Sequence, residues 1–236
     1  MHSFANFNQK VHRLIPSKFP PISLFDWASS AQELEQIAFL EGLTNERIQA
    51  ELGRINLVDK DDWVGGPGST PLMAAFTHIG APTRFSDGTY GIYYAGSTLV
   101  TAIKETIFHR ERFYSASKEA NCSISMREYI AEVKQPLVDI TLNHKHLLEP
   151  NPVFYTQSQE FGKKIREEKH WGILYPSVRH DEGLCVAIFR PPALTTPVQG
   201  CHLTYIWDGA RISEVYRKNK INLSVAPQKR SCVYDT

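Results

Sequence analysis

One strand–turn–helix unit, residues 83–114, constrains the fold of this 236-residue chain more than any other stretch. Its apolar and aromatic run at 91–95 predicts a strand, and the periodic apolar residues of 98–113 predict a helix with Ser97 at the N-cap. The other patterns are short strands with hairpin-like spacings, one polar helix and a basic tail: strands 72–77, 130–134, 137–140, 172–175, 184–189 and 202–207, and helix 157–169. One crossover among many short strands predicts an α+β fold rather than a doubly wound parallel sheet.

The N-terminal part has a different texture from the rest of the chain. Residues 1–22 contain three prolines and are predicted to form an irregular arm. A capping box, Ser-Ala-Gln-Glu at 30–33, begins a predicted helix, and a second short helix is predicted at 44–55. We therefore expect residues 1–70 to form an arm and a helical extension packed on a main domain at 71–236.

Composition excludes several classes of protein. The formal charge of +1 and the absence of a long basic run give no electrostatic footprint for nucleic acid. No run of 18 apolar residues predicts a membrane span, and the first 16 residues lack the apolar segment of a signal peptide. The four cysteines lie far apart, as expected of reduced thiols, so the sequence predicts a cytoplasmic protein.

Two motifs invite a ligand and are interpreted structurally. His144 and His146 are two residues apart without a carboxylate or cysteine beside them, a pattern more typical of a loop, so no metal is predicted. The glycine-rich loop at 65–70 resembles a phosphate cradle, but it lacks the Gly-Lys-Ser/Thr ending of a P-loop and contains Pro67. Its composition favours a linker.

The opening unit carries three polar side chains whose roles the residues alone leave open. Glu105 lies opposite the apolar face of the predicted helix, four residues before His109, and a solvated Glu105–His109 pair is one interpretation. Tyr94 fits a strand-core aromatic residue, and Arg84 fits a surface turn. Alternatively, the three groups converge on a ligand.

A family resemblance favours the ligand. The matching segments are Arg84-Phe85-Ser86-Asp87-Gly88, Tyr94-Ala95, Thr101-Ala102-Ile103-Lys104-Glu105 and Tyr175-Pro176-Ser177-Val178-Arg179. In this order, across residues 72–189, they resemble the RES-domain family, which supplies the toxins of RES–Xre toxin–antitoxin pairs. The chain departs from many relatives at Phe85, where they carry Trp or Tyr.

The resemblance implies a fold similar to ADP-ribosyltransferase toxins, with a mixed or antiparallel central sheet. It also implies NAD as substrate rather than cofactor, with inorganic phosphate as a potential co-substrate. Cleavage of the nicotinamide–ribose bond passes through an oxocarbenium-like state and expels a neutral leaving group. One carboxylate therefore suffices, unlike the pair that ordinary glycosidases use.

The implied roles fall on named positions. Glu105 would stabilise the developing cation, Arg84 would hold the pyrophosphate, and Tyr94 would stack and orient. Ser177 would hydrogen-bond the substrate or the acceptor and complete the catalytic set. The residues expected to contact NAD are Arg84, Phe85, Tyr94, His109, Ser177 and Arg179.

Other functions stay open at this point. A serine hydrolase is disfavoured because Ser177 lies outside a Gly-x-Ser-x-Gly elbow, whereas a structural turn serine is a plain alternative. The attacking acceptor is phosphate, water or a protein side chain, the last giving a protein ADP-ribosyltransferase. A non-catalytic binding module on the same fold is the alternative to an enzyme. The expected protein partner is an Xre-type antitoxin, through which the chain would also oligomerise.

Overall fold

The computed structural model describes residues 2–17, 26, 28, 32, 33, 36, 54–80 and 82–221. The helical pair predicted between 30 and 55 lies largely outside these residues and stays a prediction, as does the domain division at residue 70. No helix in the described part of the chain combines the length and apolar character needed to cross a lipid bilayer.

Strands dominate the described residues. They are β1 (Phe4–Ala5), β2 (Lys10–Pro16), β3 (Tyr93–Gly96), β4 (Cys122–Glu132), β5 (Leu137–Asp139), β6 (Gly172–Pro176), β7 (Leu184–Ile188), β8 (Val198–Trp207) and β9 (Ile212–Lys218). The α-helices whose bounds lie in this part of the chain are α1 (Thr70–Thr77), α2 (Leu99–Ser117) and α3 (Thr156–Glu167). Short 3-10 turns lie at Ile55–Leu57, Lys60–Asp62, Lys145–Leu148, Pro152–Phe154 and Pro191–Ala193.

The strands form one nine-stranded sheet in the order β1-β5-β6-β7-β3-β2-β4-β8-β9. Neighbouring strands are antiparallel except for β5 and β6, which are parallel. The α+β prediction with a mixed central sheet is therefore confirmed.

The predicted irregular arm is wrong over residues 4–5 and 10–16, which form strands β1 and β2. Strand β2 lies inside the sheet between β3 and β4, and Val11 and Leu14 are buried there. Its one proline, Pro16, is the last residue of the strand, where a missing N–H disturbs the ladder least. The proline count predicted irregular structure, but it was misleading because no proline lies in the interior of this strand.

Residues 72–77, predicted as a strand, belong to helix α1. Leu72, Met73 and Phe76 are buried together, at the three-to-four-residue spacing of a helical stripe. Pro71 lies in the first turn, where its fixed φ favours a helix and no N–H is needed. The short apolar run did not distinguish a strand from a helix.

The segment after Trp207, predicted as a basic tail, turns back as strand β9. Gly209, with φ +95°, lies in the turn, and β9 pairs antiparallel with β8. The prediction missed it because most of the β9 side chains face solvent and give little apolar signal.

The two faces of the sheet carry different helices. Met73 of α1 belongs to one cluster with Tyr93 of β3 and Val186 of β7. The residues next to Tyr93 and Val186 in sequence point to the other face, where they belong to a second cluster with Ile165 of α3. Helix α2 packs through Ala102 on a third cluster, which includes Leu14, Leu203 and Trp207. Leu14 and Val11 are three residues apart on β2, so their side chains face opposite sides of the sheet. Because Val11 belongs to the α1 cluster, Leu14 and helix α2 lie on the opposite face, which α3 also covers. The part of this face between α2 and α3, over β3 and β7, is called the cleft below.

Candidate active site

The start of α2 is fixed by its connection to β3. Thr98, not the predicted Ser97, is the N-cap, and its side chain accepts a hydrogen bond from the Thr101 backbone N–H at 3.1 Å. Ser97 instead pairs with Leu184 of β7, donating its N–H to the carbonyl at 2.8 Å and accepting the Leu184 N–H on Oγ at 3.2 Å. A β-carbon at Gly96 would lie 2.7 Å from the Ala102 nitrogen, so the strand and helix meet too closely for any other residue.

Glu105 and Ser177, far apart in sequence, form the centre of the site. Ser177 Oγ donates to Glu105 Oε1 at 2.5 Å, the short end of the range for a hydroxyl on a carboxylate. The alternative pairing of Glu105 with His109 is therefore replaced by a hydrogen bond from Ser177. The same Oγ accepts the backbone N–H groups of Arg179 at 3.2 Å and His180 at 3.0 Å, which orients its proton toward the carboxylate.

Cys185 is a second donor to Glu105 that the sequence reading missed. Its sulfur lies 3.8 Å from Glu105 Oε1, and burial, followed by the nearby carboxylate, raises the pKa of the thiol well above its ordinary value. The thiol therefore stays protonated and donates. Both contacts go to Oε1, so within the described part of the chain Oε2 has no hydrogen-bond partner. The alternation of side chains along β7 could have identified Cys185, because its side chain lies on the same side of the sheet as that of Tyr94.

The turn that presents Ser177 is closely packed against α2. Thr101 Oγ1 lies 2.9 Å from His180 Nδ1, and the Ser177 N–H donates to the Gly183 carbonyl at 2.8 Å. A β-carbon at Gly183 would lie 2.8 Å from His180 Nδ1, so this residue has no room for a side chain. Thr101 and His180 are thus positioning residues for Ser177, and only Thr101 had appeared in a motif.

Arg84 is buried rather than on a surface turn. Its Nη1 donates to the carbonyls of Leu147 at 3.2 Å and Glu149 at 2.9 Å, and its Nη2 donates to Tyr155 Oη at 3.1 Å. The guanidinium carbon lies 4.5 Å from the centre of the Tyr155 ring. Three of the five guanidinium N–H groups are therefore used within the protein, and the side chain holds the 147–155 segment in place.

Tyr94 and Phe85 also act as scaffold. Tyr94 Oη accepts the Phe85 backbone N–H at 3.0 Å and lies 2.9 Å from Thr83 Oγ1, and burial raises the pKa of the phenol to about 12. Phe85 is fully buried and packs edge-on against Tyr175 with ring centres 5.1 Å apart. The predicted contact of Phe85 with a ligand is therefore not available in this structure, because the ring supports the wall from behind.

Arg179 closes the other side of the cleft. Its guanidinium carbon lies 3.4 Å from the centre of the Phe108 ring, and Nη2 donates to the carbonyl of Pro150. Its Nε is buried without a hydrogen-bond partner. Arg84 and Arg179 therefore hold consecutive carbonyls, those of Glu149 and Pro150.

His109 lies one turn beyond Glu105 in a strongly cationic environment. Desolvation of the ring, followed by the charges of Arg110, Arg112, Arg179 and Arg84, lowers the pKa of His109 from 6.5 to about 4. The imidazole is thus neutral at physiological pH although the residue is partly exposed. The same charges make this end of the cleft favourable for an anion.

Other places that invited a ligand are filled by the protein. At the glycine-rich loop, Thr70 donates its backbone N–H and hydroxyl to Asp26 at 3.0 and 2.8 Å, so the helix terminus already has a carboxylate. A separate surface cavity of about 200 Å³ is lined by Asp62, Tyr90 and Arg190 among others. Two of its charged residues neutralise each other, since Arg190 forms a two-point ion pair with Asp62.

Comparisons with known proteins find similarity to a curated protein and to chains of solved structures, among them a toxin–antitoxin complex. The uncharacterized protein y4oC of Sinorhizobium fredii is 27% identical over 224 residues, which cover 93% of this chain and 92% of that one. The crystal structure of the M. tuberculosis MbcT–MbcA toxin–antitoxin complex contains a chain that is 12% identical, with a TM-score of 0.38. That alignment covers 50% of this chain and 71% of the other, and its TM-score is too low to establish a common fold.

A family-level match is stronger. Residues 52–208 match the RES domain, and they include every residue of the site described above. This segment is more than half of the 236 residues. The chain belongs to the RES domain family.

Proposed function

We propose that this protein is an NAD-consuming toxin that cleaves the nicotinamide–ribose bond, with phosphate or water as the acceptor. The observation that carries the proposal is the Glu105 carboxylate, which is held on one oxygen by Ser177 and Cys185 and open on the other. An oxygen without a protein partner is available to a substrate, as a group that stabilises a transient cation requires.

The local chemistry supports a reaction with positive charge in the transition state. Breaking the bond to nicotinamide leaves an oxocarbenium-like ribose and a neutral leaving group, so a fixed carboxylate is the main requirement. Ser177 and Cys185 fix the direction of Glu105, and fixed charges stabilise a transition state better than mobile ones. No general acid is needed, which fits the neutral state of His109.

The cations around the carboxylate support an anionic substrate. Arg179 spends its charge on a neutral backbone carbonyl and has an unpartnered Nε, so a phosphate oxygen would be a better acceptor for it. We assign to Arg179 the pyrophosphate of NAD or an incoming inorganic phosphate. Arg84 contributes its charge at longer range, together with the segment that it holds.

The role as a toxin rests on family membership and on the resemblance of the site motifs to RES–Xre toxins. An enzyme that drains NAD needs control in its own cell, and a protein that occupies the cleft supplies it. We therefore propose an Xre-type antitoxin as the partner. A chain terminus or a helix with a carboxylate near Arg179 would suit the charge of the cleft.

The test is incubation of the purified chain with NAD, with and without inorganic phosphate, followed by mass spectrometry of the products. Free nicotinamide with ADP-ribose phosphate indicates phosphorolysis, and free nicotinamide with ADP-ribose indicates hydrolysis. ADP-ribose attached to protein would replace this proposal with protein ADP-ribosylation. Saturable NAD binding without nicotinamide release would indicate a binding module, and no binding would refute the proposal.

A further inference from the structure

Three potential metal ligands meet at the edge of the sheet opposite β9. His2 Nε2 lies 2.9 Å from Glu168 Oε2, and His170 Nε2 lies 3.2 Å from the same oxygen. All three ligand atoms lie within 4.8 Å of one another. They are far from Glu105 in the fold, because β1 and the α3–β6 connection, not α2, carry them.

The two imidazole rings are held by aromatic neighbours. His2 and His170 pack edge to face with ring centres 5.5 Å apart, and Phe4 packs on His170 at 5.2 Å. His2 also contacts the edge of Phe161 in α3 at 6.0 Å. These contacts limit rotation of both rings, so the ligands are ordered before an ion arrives and less entropy is lost on binding.

The chain path brings Glu168 and His170 to one side. Glu168 follows the end of α3, and Lys169 has a left-handed backbone with φ +58° that reverses the chain. Lys164 Nζ lies 3.9 Å from the other carboxylate oxygen, Oε1, where it would orient the carboxylate from outside. Oε2 is thus the oxygen that both histidines share.

We propose that His2, Glu168 and His170 bind a divalent transition-metal ion of the zinc class, with solvent completing the coordination. Imidazole nitrogen and carboxylate oxygen bind zinc at about 2.0–2.2 Å, which puts neighbouring ligand atoms of a tetrahedral site about 3.3–3.5 Å apart. The two contacts to Oε2 lie just below that separation, so small side-chain shifts open the site. The sequence-based expectation of no metal had considered only His144 and His146.

The bound ion would fasten the N-terminus to the body of the protein. Strand β1 has two residues and pairs only at the sheet edge with β5, a weak attachment by itself. A metal that joins His2 to the α3–β6 connection adds its binding free energy to the folded state. The site is therefore structural and independent of the proposed NAD chemistry.

Zinc titration by calorimetry tests this on the full chain, purified without a polyhistidine tag and treated with chelator. Wild type should bind one zinc ion per chain, and zinc should raise its melting temperature. His2→Ala, His170→Ala and Glu168→Gln should each weaken binding by at least the ~10–100-fold that loss of an outer-shell partner costs, since each removes a ligand. The matched control His144→Ala, also next to Phe161, should bind as wild type does.

Two results would overturn the site. One is the absence of saturable zinc binding by wild type. The other is unchanged affinity in both His2→Ala and His170→Ala, which would place any bound zinc elsewhere. Because Glu168→Gln keeps the size of the exposed side chain, it distinguishes loss of a ligand from loss of folding.

Discussion

The two walls of the cleft use their polar groups differently. At the α2 wall, Glu105 keeps one carboxylate oxygen unpartnered among the described residues, and Arg179 keeps an unpartnered Nε. At the opposite wall, Arg84 gives three N–H groups to Leu147, Glu149 and Tyr155. Tyr94 likewise has both of its hydroxyl contacts inside the protein.

The motifs placed residues of both walls in one expected site, and this difference in hydrogen bonding divides them into two groups. The α2 wall has unused hydrogen-bonding capacity, in Glu105 Oε2 and in the buried Nε of Arg179, as expected where a ligand and a transition state bind. The Arg84–Tyr94 wall is a scaffold that sets the path of the 147–155 segment. Substitutions in the first wall should therefore reduce catalysis, and substitutions in the second should reduce stability first.

Glu105→Gln should have the largest effect. The change keeps the size of the side chain but removes the charge, so NAD turnover should fall ~100-fold or more, as for other preorganised electrostatic groups. The measurement is nicotinamide release by the purified variant, with thermal melting to show that it folds. Glu160→Gln, an exposed change on α3, is the matched control and should keep full turnover. Near-normal turnover in Glu105→Gln would remove this residue from the mechanism.

Arg84→Ala should lower the free energy of unfolding by about 2–4 kcal/mol, because it leaves one buried and one part-buried carbonyl and a buried phenol without their charged donor. Urea denaturation measures this. Arg179→Ala, the control on the other wall, loses one exposed carbonyl contact and the packing on Phe108, and should cost less, about 1–1.5 kcal/mol. Equal losses in the two variants would contradict the division into scaffold and reactive wall.

The sequence predicted the part of the fold that local patterns determine. The β3–α2 unit, the apolar strand β7 and the polar helix α3 each carry a clear periodicity and lie near their predicted positions. The predictions at β2 and α1 were wrong. A proline cluster and a short apolar run are each compatible with more than one structure, and only tertiary contacts decide between them. The mostly exposed β9 gave too little apolar signal to be recognised.

For the candidate site, the motifs nominated residues but gave no information on their partners. The Glu105–Ser177 hydrogen bond joins positions 72 residues apart, which no local pattern reveals. Burial of Arg84 depends on the 147–155 segment, whose fold is irregular and has no periodicity to read. The contribution of Cys185 follows from strand alternation only once β7 is known to lie beside β3.

Ser177→Ala should have a smaller effect than Glu105→Gln. It removes one hydrogen bond to a charged group, worth about 1.5–3 kcal/mol, so turnover should fall roughly 10–100-fold if that interaction is fully used in the transition state. Ser213→Ala, a change at an exposed serine of β9, is the control. The KM for NAD should change little, since Ser177 acts mainly by orienting Glu105. A large rise in KM with unchanged kcat would instead indicate direct substrate binding.

The smallest expected effect is the contribution of His109 to the free energy of unfolding at acid pH. Its folded-state pKa of about 4 lies below the ordinary 6.5, so the unfolded chain binds the proton more readily than the folded one. The resulting stability is present above pH 6.5 and is lost as the pH falls toward 4. His109→Gln should therefore show a shallower decline in unfolding free energy across that window. Parallel curves for the variant and wild type would show that the imidazole titrates normally.

The most direct test of the central claim is total cellular NAD shortly after induction of the chain without a partner, compared with the Glu105→Gln strain at equal protein levels. We predict that NAD falls before growth stops in the wild-type strain and that both NAD and growth are maintained with Glu105→Gln. Growth arrest at unchanged NAD, or equal arrest in both strains, would contradict an NAD-consuming site centred on Glu105.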